Sequence, residues 1–250
     1  EREYRGETTI SIPAFDIPPP FWSNPEGTDS ASPATMESAM NTSTLFSLKG
    51  RTALVTGGSR GIGLMIAKGF VAQGAKVYIS SRKAEVCESV AAELGDECHA
   101  LPMDISTVEG CTKLATAFAE RETALDILVN NAGAAWGAQF EEFPEQGWDK
   151  VMDLNVKSPF FLTQAFFEHL KAGAATNPPA KVINIASIDG MRLNEWETYS
   201  YQASKAAVIQ LTKRMAARLI KDKINVTAIA PGAFSSDMNR AARDHAELVA

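Results

Sequence analysis

Two residues with obvious potential for proton transfer lie four positions apart, Tyr201 and Lys205. The surrounding segment has helical spacing, and residues four apart on a helix share one face. A free tyrosine has a pKa near ~10 and is a poor base at neutral pH. A nearby ammonium favours the phenolate and lowers that pKa. The spacing therefore predicts that Tyr201 acts as a general acid or base, with its pKa lowered by Lys205.

A second candidate for chemistry is the glycine-rich segment 56–63, which reads TGGSRGIG. It follows an apolar run at 52–55 and precedes a stretch of helical spacing at 63–73. Glycines permit a tight turn, a close approach of the backbone to a pyrophosphate and close packing of helix on strand, and a helix N-terminus attracts phosphate. Because the strand precedes this loop and the helix follows it, the segment predicts a dinucleotide site.

The end of the second predicted strand bears on which dinucleotide is bound. The sequence there is Ser80-Ser81-Arg82, without the acidic residue with which NAD sites hold the ribose hydroxyls. Arg82 and Arg60 can instead bind the 2′-phosphate of NADP through charge-assisted hydrogen bonds, and Lys83 is a weaker candidate. We therefore expect NADP(H) as the cofactor.

Predicted apolar strands alternate with predicted helices along the chain. These elements must position the glycine loop and the Tyr201–Lys205 pair. We expect strands at 52–55, 76–80, 99–103, 125–130, 181–186 and 225–230, and helices at 63–73, 84–94, 108–121 and 201–220. The segment 148–156 is expected to lead into a further long helix through Leu170, with a helix-beginning bend at Ser158 and Pro159. Such alternation indicates βαβ units and a parallel sheet. The predicted fold class is α/β, a Rossmann-type doubly wound parallel sheet in three α/β/α layers.

Four motifs occur in a fixed order: the glycine loop, the NNAG sequence at 130–133, the Tyr201–Lys205 pair and Pro231-Gly232. Together they resemble the short-chain dehydrogenase/reductase family over residues 48–250. The segment 231–238 resembles the 3-oxoacyl-(acyl-carrier-protein) reductases of that family and their secondary-metabolite relatives.

The resemblance implies a catalytic tetrad of Asn155, Ser187, Tyr201 and Lys205. In it, Ser187 polarises the substrate carbonyl, Asn155 holds a water that links Lys205 to solvent, and Lys205 also holds the nicotinamide ribose. Asp104 is expected to end the third strand, near the adenine amino group. The cofactor-binding residues expected from the loop and the resemblance are Gly57, Ser59, Arg60, Gly61, Ile62, Gly63, Ser81, Arg82, Asp104, Ile105, Asn131, Ala132, Gly133, Tyr201, Lys205, Pro231 and Gly232.

The two ends of the chain differ in composition and in their predicted structure. Residues 1–47 are rich in Pro, Ser, Thr and acidic residues and predict an extended or disordered arm. Its aromatics Phe15, Phe21 and Trp22 either dock on a neighbouring surface or belong to an unanchored tail. The catalytic domain is expected at 48–250. Relatives usually continue past the equivalent of residue 250, so we expect the sheet to lack its last strand, and residues 236–248 to begin a substrate lid.

Composition excludes several function classes. A net charge of -6 disfavours binding of nucleic acid or anionic membranes. The chain contains no run of about 20 apolar residues, the length of a membrane span. The three cysteines are widely spaced and the three histidines are scattered, so we expect reduced thiols, no metal and a cytoplasmic location. The resemblance implies a homodimer or homotetramer.

The function expected is NADPH-dependent reduction of a ketone or 3-oxoacyl group to a secondary alcohol, with Tyr201 as the general acid. The alternatives are a catalytically weak nucleotide-binding or interaction protein of the same fold and an oxidising dehydrogenase. The substrate is expected to be small and apolar, because the segment 188–198 and the region after Pro231 contain Met191, Leu193, Trp196, Phe234 and Met238. Trp136 and Phe140 belong either to this pocket or to the core.

Overall fold

The computed structural model describes residues 45–232, which form a parallel sheet with helices on both faces. The strands are β1 (Thr52–Thr56), β2 (Lys76–Ser80), β3 (Cys98–Ala100), β4 (Ile127–Asn130), β5 (Ala180–Ile185) and β6 (Ile224–Ile229). The helices are α1 (Gly61–Ala72), α2 (Ala84–Leu94), α3 (Val108–Ala119), α4 (Glu145–Met152), α5 (Ser158–Ala165), α6 (Phe167–Thr176) and α7 (Tyr199–Leu219). Most of the predicted arm, the predicted lid, Phe234 and Met238 lie outside the described residues.

The six described strands have the order β3-β2-β1-β4-β5-β6, and every pairing is parallel. The chain moves outward from β1 through β2 to β3 and then returns to β4 on the other side of β1. This reversal opens a crevice at the carboxyl ends of β1 and β4, where α/β sheets bind their ligands. The prediction of a Rossmann-type doubly wound parallel sheet is therefore confirmed.

The central strands are apolar along their length because helices cover both faces of the sheet. On one face, Leu54 and Leu128 pack with Phe118 of α3 and Phe166 in a core cluster shared with α6 and α7. On the other face, Val55 packs in a second cluster with residues of α1 and α2. The three layers hold the carboxyl ends of the strands in fixed positions.

A helix begins at the predicted bend at Ser158 and Pro159, but the predicted continuity through Leu170 is wrong, because α5 ends at Ala165 and α6 begins at Phe167. Helix α4 ends at Met152, a π-helical turn follows at Asp153–Lys157, and α5 begins at Ser158. Pro159 has no N–H and therefore cannot donate to the Asn155 carbonyl, one α-helical turn earlier. In the wider turn the Ser158 N–H donates instead to the Asp153 carbonyl, five residues back. The altered winding places Asn155 inside the fold.

The third strand is shorter than expected and ends at Ala100, so Asp104 lies beyond the strand rather than at its end. Pro102 follows on the outer strand of the described sheet, where a missing N–H costs no bond to β2, because the N–H groups of its two neighbours face β2. The extended path nevertheless continues, since Leu101 and Met103 donate to the carbonyls of Ile79 and Ser81 at 2.8 and 3.0 Å. The chain thus reaches the same crevice without regular strand structure.

None of the helices between residues 45 and 232 has the length and apolar character that a membrane crossing requires. Within the same residues, no group of three or more His, Cys, Asp or Glu side chains is arranged to hold a metal ion. The three cysteines are buried and free.

Candidate active site

The glycine loop between β1 and α1 is held by backbone and side-chain hydrogen bonds. The Gly57 N–H donates to the Ser80 carbonyl at 2.7 Å, which ties the loop to the end of β2. Gly57 has a φ of 64°, a conformation that side chains other than glycine rarely adopt. A Cβ at Gly63 would collide with the Gly57 carbonyl oxygen and the Asn131 side chain. Glycine at these two positions therefore allows α1 to begin directly against the loop.

Thr56 joins this loop to the chain after β4, a role that the sequence prediction missed. Its hydroxyl accepts the N–H groups of Asn131 and Ala132, each at 3.0 Å, and donates to the Val129 carbonyl at 3.2 Å. The Asn131 amide in turn donates to the Thr56 carbonyl at 2.9 Å. The only local signal was a polar residue between an apolar strand and a glycine loop. Asn131 and Ala132 are therefore hydrogen-bonded to Thr56 at the start of the glycine loop and help to fix its position.

The beginning of α1 has the properties of an anion site. Arg60 occupies the N-cap position but provides no side-chain cap, and the first turn contains no acidic residue. The first N–H groups of a helix have no acceptor within that helix, and its dipole favours a negative charge there. The predicted residues Ser59, Arg60, Gly61 and Ile62 lie at this end of the helix, and that they bind a pyrophosphate stays a prediction.

The end of β2 offers unused polar groups. The hydroxyls of Ser80 and Ser81 are buried and have no hydrogen-bond partner among the described residues. Arg82 and Arg60 are exposed, and neither forms an ion pair with another residue of the 45–232 range. Buried polar atoms are nearly always paired in folded proteins. Both the unsatisfied hydroxyls and the free guanidinium groups therefore fit a polar, negatively charged ligand group at this edge.

Asp104 and Ile105, two predicted cofactor-binding residues, differ in the exposure of their side chains. Asp104 is exposed, and its carboxylate accepts the Ser106 N–H at 3.0 Å in a turn that leads to α3. The side chain of Ile105 is buried in the core. Only the backbone of Ile105 is therefore available to a ligand, whereas the Asp104 carboxylate is accessible.

Lys205 of α7 is almost fully buried and donates from Nζ to the Ile185 carbonyl at 2.7 Å. Burial lowers the pKa of this amine to about 8 because an apolar environment disfavours the charged form. Its Nζ lies 5.6 Å from the centre of the Tyr201 ring. The lysine is therefore next to the tyrosine but directs its hydrogen bond to the strand.

The predicted lowering of the Tyr201 pKa is wrong for the described structure. Burial raises the pKa of Tyr201, the Ser187 side chain opposes the shift, and the charge of Asp189 adds to it. Burial is the largest of these causes. The Lys205 ammonium donates to the Ile185 carbonyl rather than to the tyrosine. Tyr201 is therefore held in its protonated form at neutral pH.

Ser187 is buried at the end of β5, where the chain turns away from the sheet. Its hydroxyl accepts the Asp189 N–H at 3.1 Å and so keeps its own hydrogen for another acceptor. The Ile188 N–H donates to the Pro231 carbonyl at 3.1 Å. This bond brings the predicted Pro231-Gly232 element to the same side of the sheet as Ser187.

Asn155 projects from the π-helical turn and is buried. Its Oδ1 accepts the Ala134 N–H at 2.8 Å, and its Nδ2 donates to the Ala134 carbonyl at 2.9 Å. The second N–H of the amide donates to the Ser204 hydroxyl at 2.9 Å. The side chain thus connects the loop after β4 to α7. That Asn155 holds a water for Lys205 stays a prediction.

The four residues of the predicted tetrad therefore lie around one crevice. Gly133 passes between two of them, since a Cβ at this position would lie 3.3 Å from Asn155 Oδ1 and 3.8 Å from Lys205 Nζ. The Ser187 side chain is close enough to Tyr201 to affect the pKa of its hydroxyl. Sequence analysis did not identify Ser204, which contacts Asn155 and Tyr201, because its partners are distant or in the backbone.

A shallow pocket of about 360 Å³ lies beside the beginning of α7. Its lining consists of Leu193, Asn194, Glu195, Trp196, Glu197, Tyr199 and Gln202. Gln202 was also missed by the sequence analysis. Its amide donates to Asn194 Oδ1 and to the Trp196 carbonyl, each at 3.2 Å, and so shapes the pocket wall.

The sequence analysis assigned Trp136 and Phe140 either to the pocket or to the core, and the structure shows different surroundings for the two. Phe140 is 70% exposed and lies edge-to-face against Tyr199, with ring centres 5.6 Å apart. Trp136 covers Gly147 of α4 and lies 5.2 Å below the Lys150 amine. Neither residue belongs to the two core clusters. Phe140 contacts Tyr199, which lines the pocket, whereas Trp136 packs against α4.

Comparisons with known proteins agree with this geometry. A family described as short chain dehydrogenase matches residues 51–247. A Pseudomonas aeruginosa protein named rhamnolipids biosynthesis 3-oxoacyl-(acyl-carrier-protein) reductase is 49% identical over 197 residues, which cover 78% of this chain and 77% of that protein. Gluconate 5-dehydrogenase of Gluconobacter oxydans is 37% identical over 199 residues, with coverage of 78% and 75%.

Two solved structures have the same arrangement of elements. The Pseudomonas aeruginosa RhlG/NADP active-site complex has a TM-score of 0.77 at 48% identity and covers 81% of this chain and 80% of its own. A Burkholderia cenocepacia gluconate 5-dehydrogenase in complex with NADP and tartrate has a TM-score of 0.76 at 33% identity, with coverage of 82% and 80%.

Proposed function

The chain belongs to the short-chain dehydrogenase family, and from that premise we propose that it reduces the carbonyl group of an apolar substrate, such as a 3-oxoacyl thioester, to a secondary alcohol with NADPH. The observation that carries the proposal is the convergence of Tyr201 and Ser187 at the carboxyl end of β5, with the buried Lys205 one helical turn further on. This arrangement offers two hydroxyl donors and one amine to a single small group.

The residues of the crevice fit NADPH. The N–H groups at the beginning of α1 would bind the pyrophosphate, and Arg60 and Arg82 would bind the 2′-phosphate that distinguishes NADPH from NADH. The unpaired hydroxyls of Ser80 and Ser81 lie at the same edge. When bound, the nicotinamide supplies the hydride for the carbonyl carbon. Relatives solved with NADP support this assignment.

Tyr201 and Ser187 act on the carbonyl oxygen. The Tyr201 hydroxyl is protonated at neutral pH, since the ordinary pKa of a tyrosine is about 10 and burial raises it further. It can therefore donate its proton to the oxygen as negative charge develops there. The hydrogen of the Ser187 hydroxyl is free for the same oxygen, since the serine accepts rather than donates in its bond with Asp189. A donor that is already placed by the fold stabilises the developing charge without reorganisation.

Lys205 adds a positive charge at the site over part of the pH range. With a pKa of about 8, most of the amine is protonated at pH 7. Its Nζ lies 5.6 Å from the centre of the Tyr201 ring, so this charge is close to the oxygen that the tyrosine protonates. A protonated acid beside a cationic lysine suits reduction at neutral pH, and oxidation of the alcohol would be favoured as the pH rises.

A polar sugar acid is the second candidate substrate. The pocket contains Asn194, Glu195, Glu197 and Gln202 in addition to its apolar residues, and several relatives are named as dehydrogenases of gluconate or galactitol. Its apolar residues favour the acyl substrate, because Leu193 is 89% and Trp196 is 45% exposed. Exposed apolar surface of this kind gains free energy when an alkyl chain covers it.

The test is to follow oxidation of NADPH by the 250-residue chain with three substrates. These are the acetoacetyl and 3-oxodecanoyl thioesters of N-acetylcysteamine and 5-keto-gluconate. We expect the highest kcat/KM with the 3-oxodecanoyl thioester. A higher kcat/KM with 5-keto-gluconate would replace the acyl substrate by the sugar acid. Binding of NADPH without turnover of any carbonyl would contradict the enzymatic proposal.

A further inference from the structure

Ser204 is fully buried on α7, between Tyr201 and Lys205, and links two parts of the site. Its hydroxyl donates to the Tyr201 carbonyl at 2.7 Å and accepts from the Asn155 side chain at 2.9 Å. One partner lies on the catalytic helix and the other on the π-helical turn Asp153–Lys157. A single hydroxyl thus connects the two segments.

The bridge completes the hydrogen bonding of Asn155. One amide N–H goes to the Ala134 carbonyl, the Oδ1 atom accepts the Ala134 N–H, and the second N–H goes to Ser204. Asn155 is itself buried. Without the serine hydroxyl, a buried N–H would lose its acceptor, and such a group destabilises the arrangement that holds it.

We propose that Ser204 is a positioning residue for carbonyl reduction, an inference that rests on the proposed function. By holding Asn155 against the turn of α7 that carries Tyr201, it fixes the loop after β4 relative to the catalytic helix. Gly133 of this loop lies close to both Asn155 and Lys205. Ser204 therefore keeps Tyr201 and Lys205 packed and free of water, although it touches neither functional group.

Ser200 provides a matched control one turn earlier on the same helix. It is also fully buried, but its hydroxyl has no hydrogen-bond partner within residues 45–232. Replacing either serine with alanine removes one hydroxyl from the same kind of environment. Only the change at 204 breaks a bridge between two elements.

The experiment compares Ser204→Ala and Ser200→Ala in the full chain, with NADPH and the acetoacetyl thioester of N-acetylcysteamine. We expect Ser204→Ala to lower kcat about tenfold, the equivalent of one lost hydrogen bond, with little change in KM. Ser204→Cys keeps a weak donor of similar size and should give an intermediate kcat. Ser200→Ala should stay within about twofold of the wild type in kcat.

The pH profile separates positioning from a general loss of structure. Burial is the largest cause of both the raised pKa of Tyr201 and the lowered pKa of Lys205. If Ser204→Ala admits water, the two pKa values move back toward their ordinary values, so the tyrosine limb of the kcat profile shifts to lower pH and the lysine limb to higher pH. Ser200→Ala should leave both limbs in place.

A double-mutant cycle with Asn155→Ala tests whether Ser204 acts through Asn155. If it does, Ser204→Ala costs less than about twofold in kcat once Asn155 has been replaced. Equal losses in both backgrounds, an unchanged kcat in Ser204→Ala, or an equal loss in Ser200→Ala would overturn the proposal. The same double-mutant cycle, measured as free energies of unfolding in urea, tests the Asn155–Ser204 hydrogen bond independently of enzyme activity. Additive free energies of unfolding would show that the two side chains do not interact. An inactive wild type would instead overturn the proposed function.

Discussion

The cofactor side and the substrate side of the crevice are built in opposite ways. On the cofactor side, Thr56 and Asn131 connect two loops through hydrogen bonds of 2.9–3.2 Å, and added Cβ atoms at Gly57 or Gly63 have no room. On the substrate side, Leu193 and Phe140 are largely exposed, and the pocket is shallow. A rigid site suits one ligand of fixed shape, whereas an exposed apolar surface accepts substrates that vary in length.

The largest effect is expected where the two sides meet. Tyr201→Phe removes the proton donor and keeps the ring, so we expect kcat to fall by about 10²–10⁴-fold, as for other general acids. The Kd of NADPH should change little, because the pyrophosphate and 2′-phosphate groups bind elsewhere. Stopped assays of NADPH oxidation and nicotinamide fluorescence titrations measure the two quantities. Near-normal turnover in this variant would rule out Tyr201 as the proton donor.

A methyl group added to the glycine loop on the cofactor side should be poorly tolerated. Gly63→Ala places a Cβ against the Gly57 carbonyl and Asn131, so we expect a loss of about 1–3 kcal/mol in the free energy of unfolding and weaker NADPH binding. Gly69→Ala, in the same helix α1, is the control because nothing lies within 4 Å of its added Cβ. That variant should gain about 0.5–1 kcal/mol in stability from the higher helix propensity of alanine. Equal tolerance of both changes would argue against a rigid loop.

Choice between cofactors should depend on charge at the end of β2. Arg82→Ser removes one guanidinium, and we expect the Kd of NADPH to rise about tenfold or more while the Kd of NADH stays nearly constant. Lys113→Ser is a control for net charge, since Lys113 lies on α3 and pairs with Glu109. Fluorescence titration with both nucleotides measures the ratio. A parallel loss for NADPH and NADH would show that Arg82 does not contact the 2′-phosphate.

The smallest effect on catalysis is expected from a substitution in the exposed pocket on the substrate side. Trp196→Ala removes apolar surface from the pocket, and we expect the KM for the 3-oxodecanoyl thioester to rise about fivefold, equivalent to about 1 kcal/mol of contact. The KM for the acetoacetyl thioester and the melting temperature should hardly move. Ile220→Ala changes an exposed apolar residue just beyond the end of α7 and serves as the control. Identical losses for both thioesters would contradict a pocket for the acyl chain.

Local sequence signals were enough for some of the regular elements, but not for the end of β3 or for the break between α5 and α6. Strand β2 and helix α2 have the predicted bounds, because Gly95 ends the helix and the apolar runs are short and bounded by polar residues. The glycine loop was recognisable for the same reason, since its requirements are met by residues that are adjacent in the chain. Assignment to the fold therefore needed no tertiary information.

Interactions between distant segments explain what the sequence analysis missed. Thr56 and Asn131 are separated by 75 positions, and Asn155 and Ser204 by 49, so no local pattern indicates their hydrogen bonds. The raised pKa of Tyr201 depends on burial by several elements, and the spacing to Lys205 alone suggested the opposite direction. The π-helical turn was hidden because the apolar spacing continues through it.

The π-helical turn at Asp153–Lys157 holds one residue more than an α-helical turn, because its hydrogen bond closes five residues back rather than four. Deleting one residue from this turn would let the segment wind as a regular α-helix, with α4 and α5 in nearly their present relative rotation. The extra residue is therefore not needed to connect the two helices. Its consequence is local, since the wider turn is where Asn155 contacts Ala134 and Ser204.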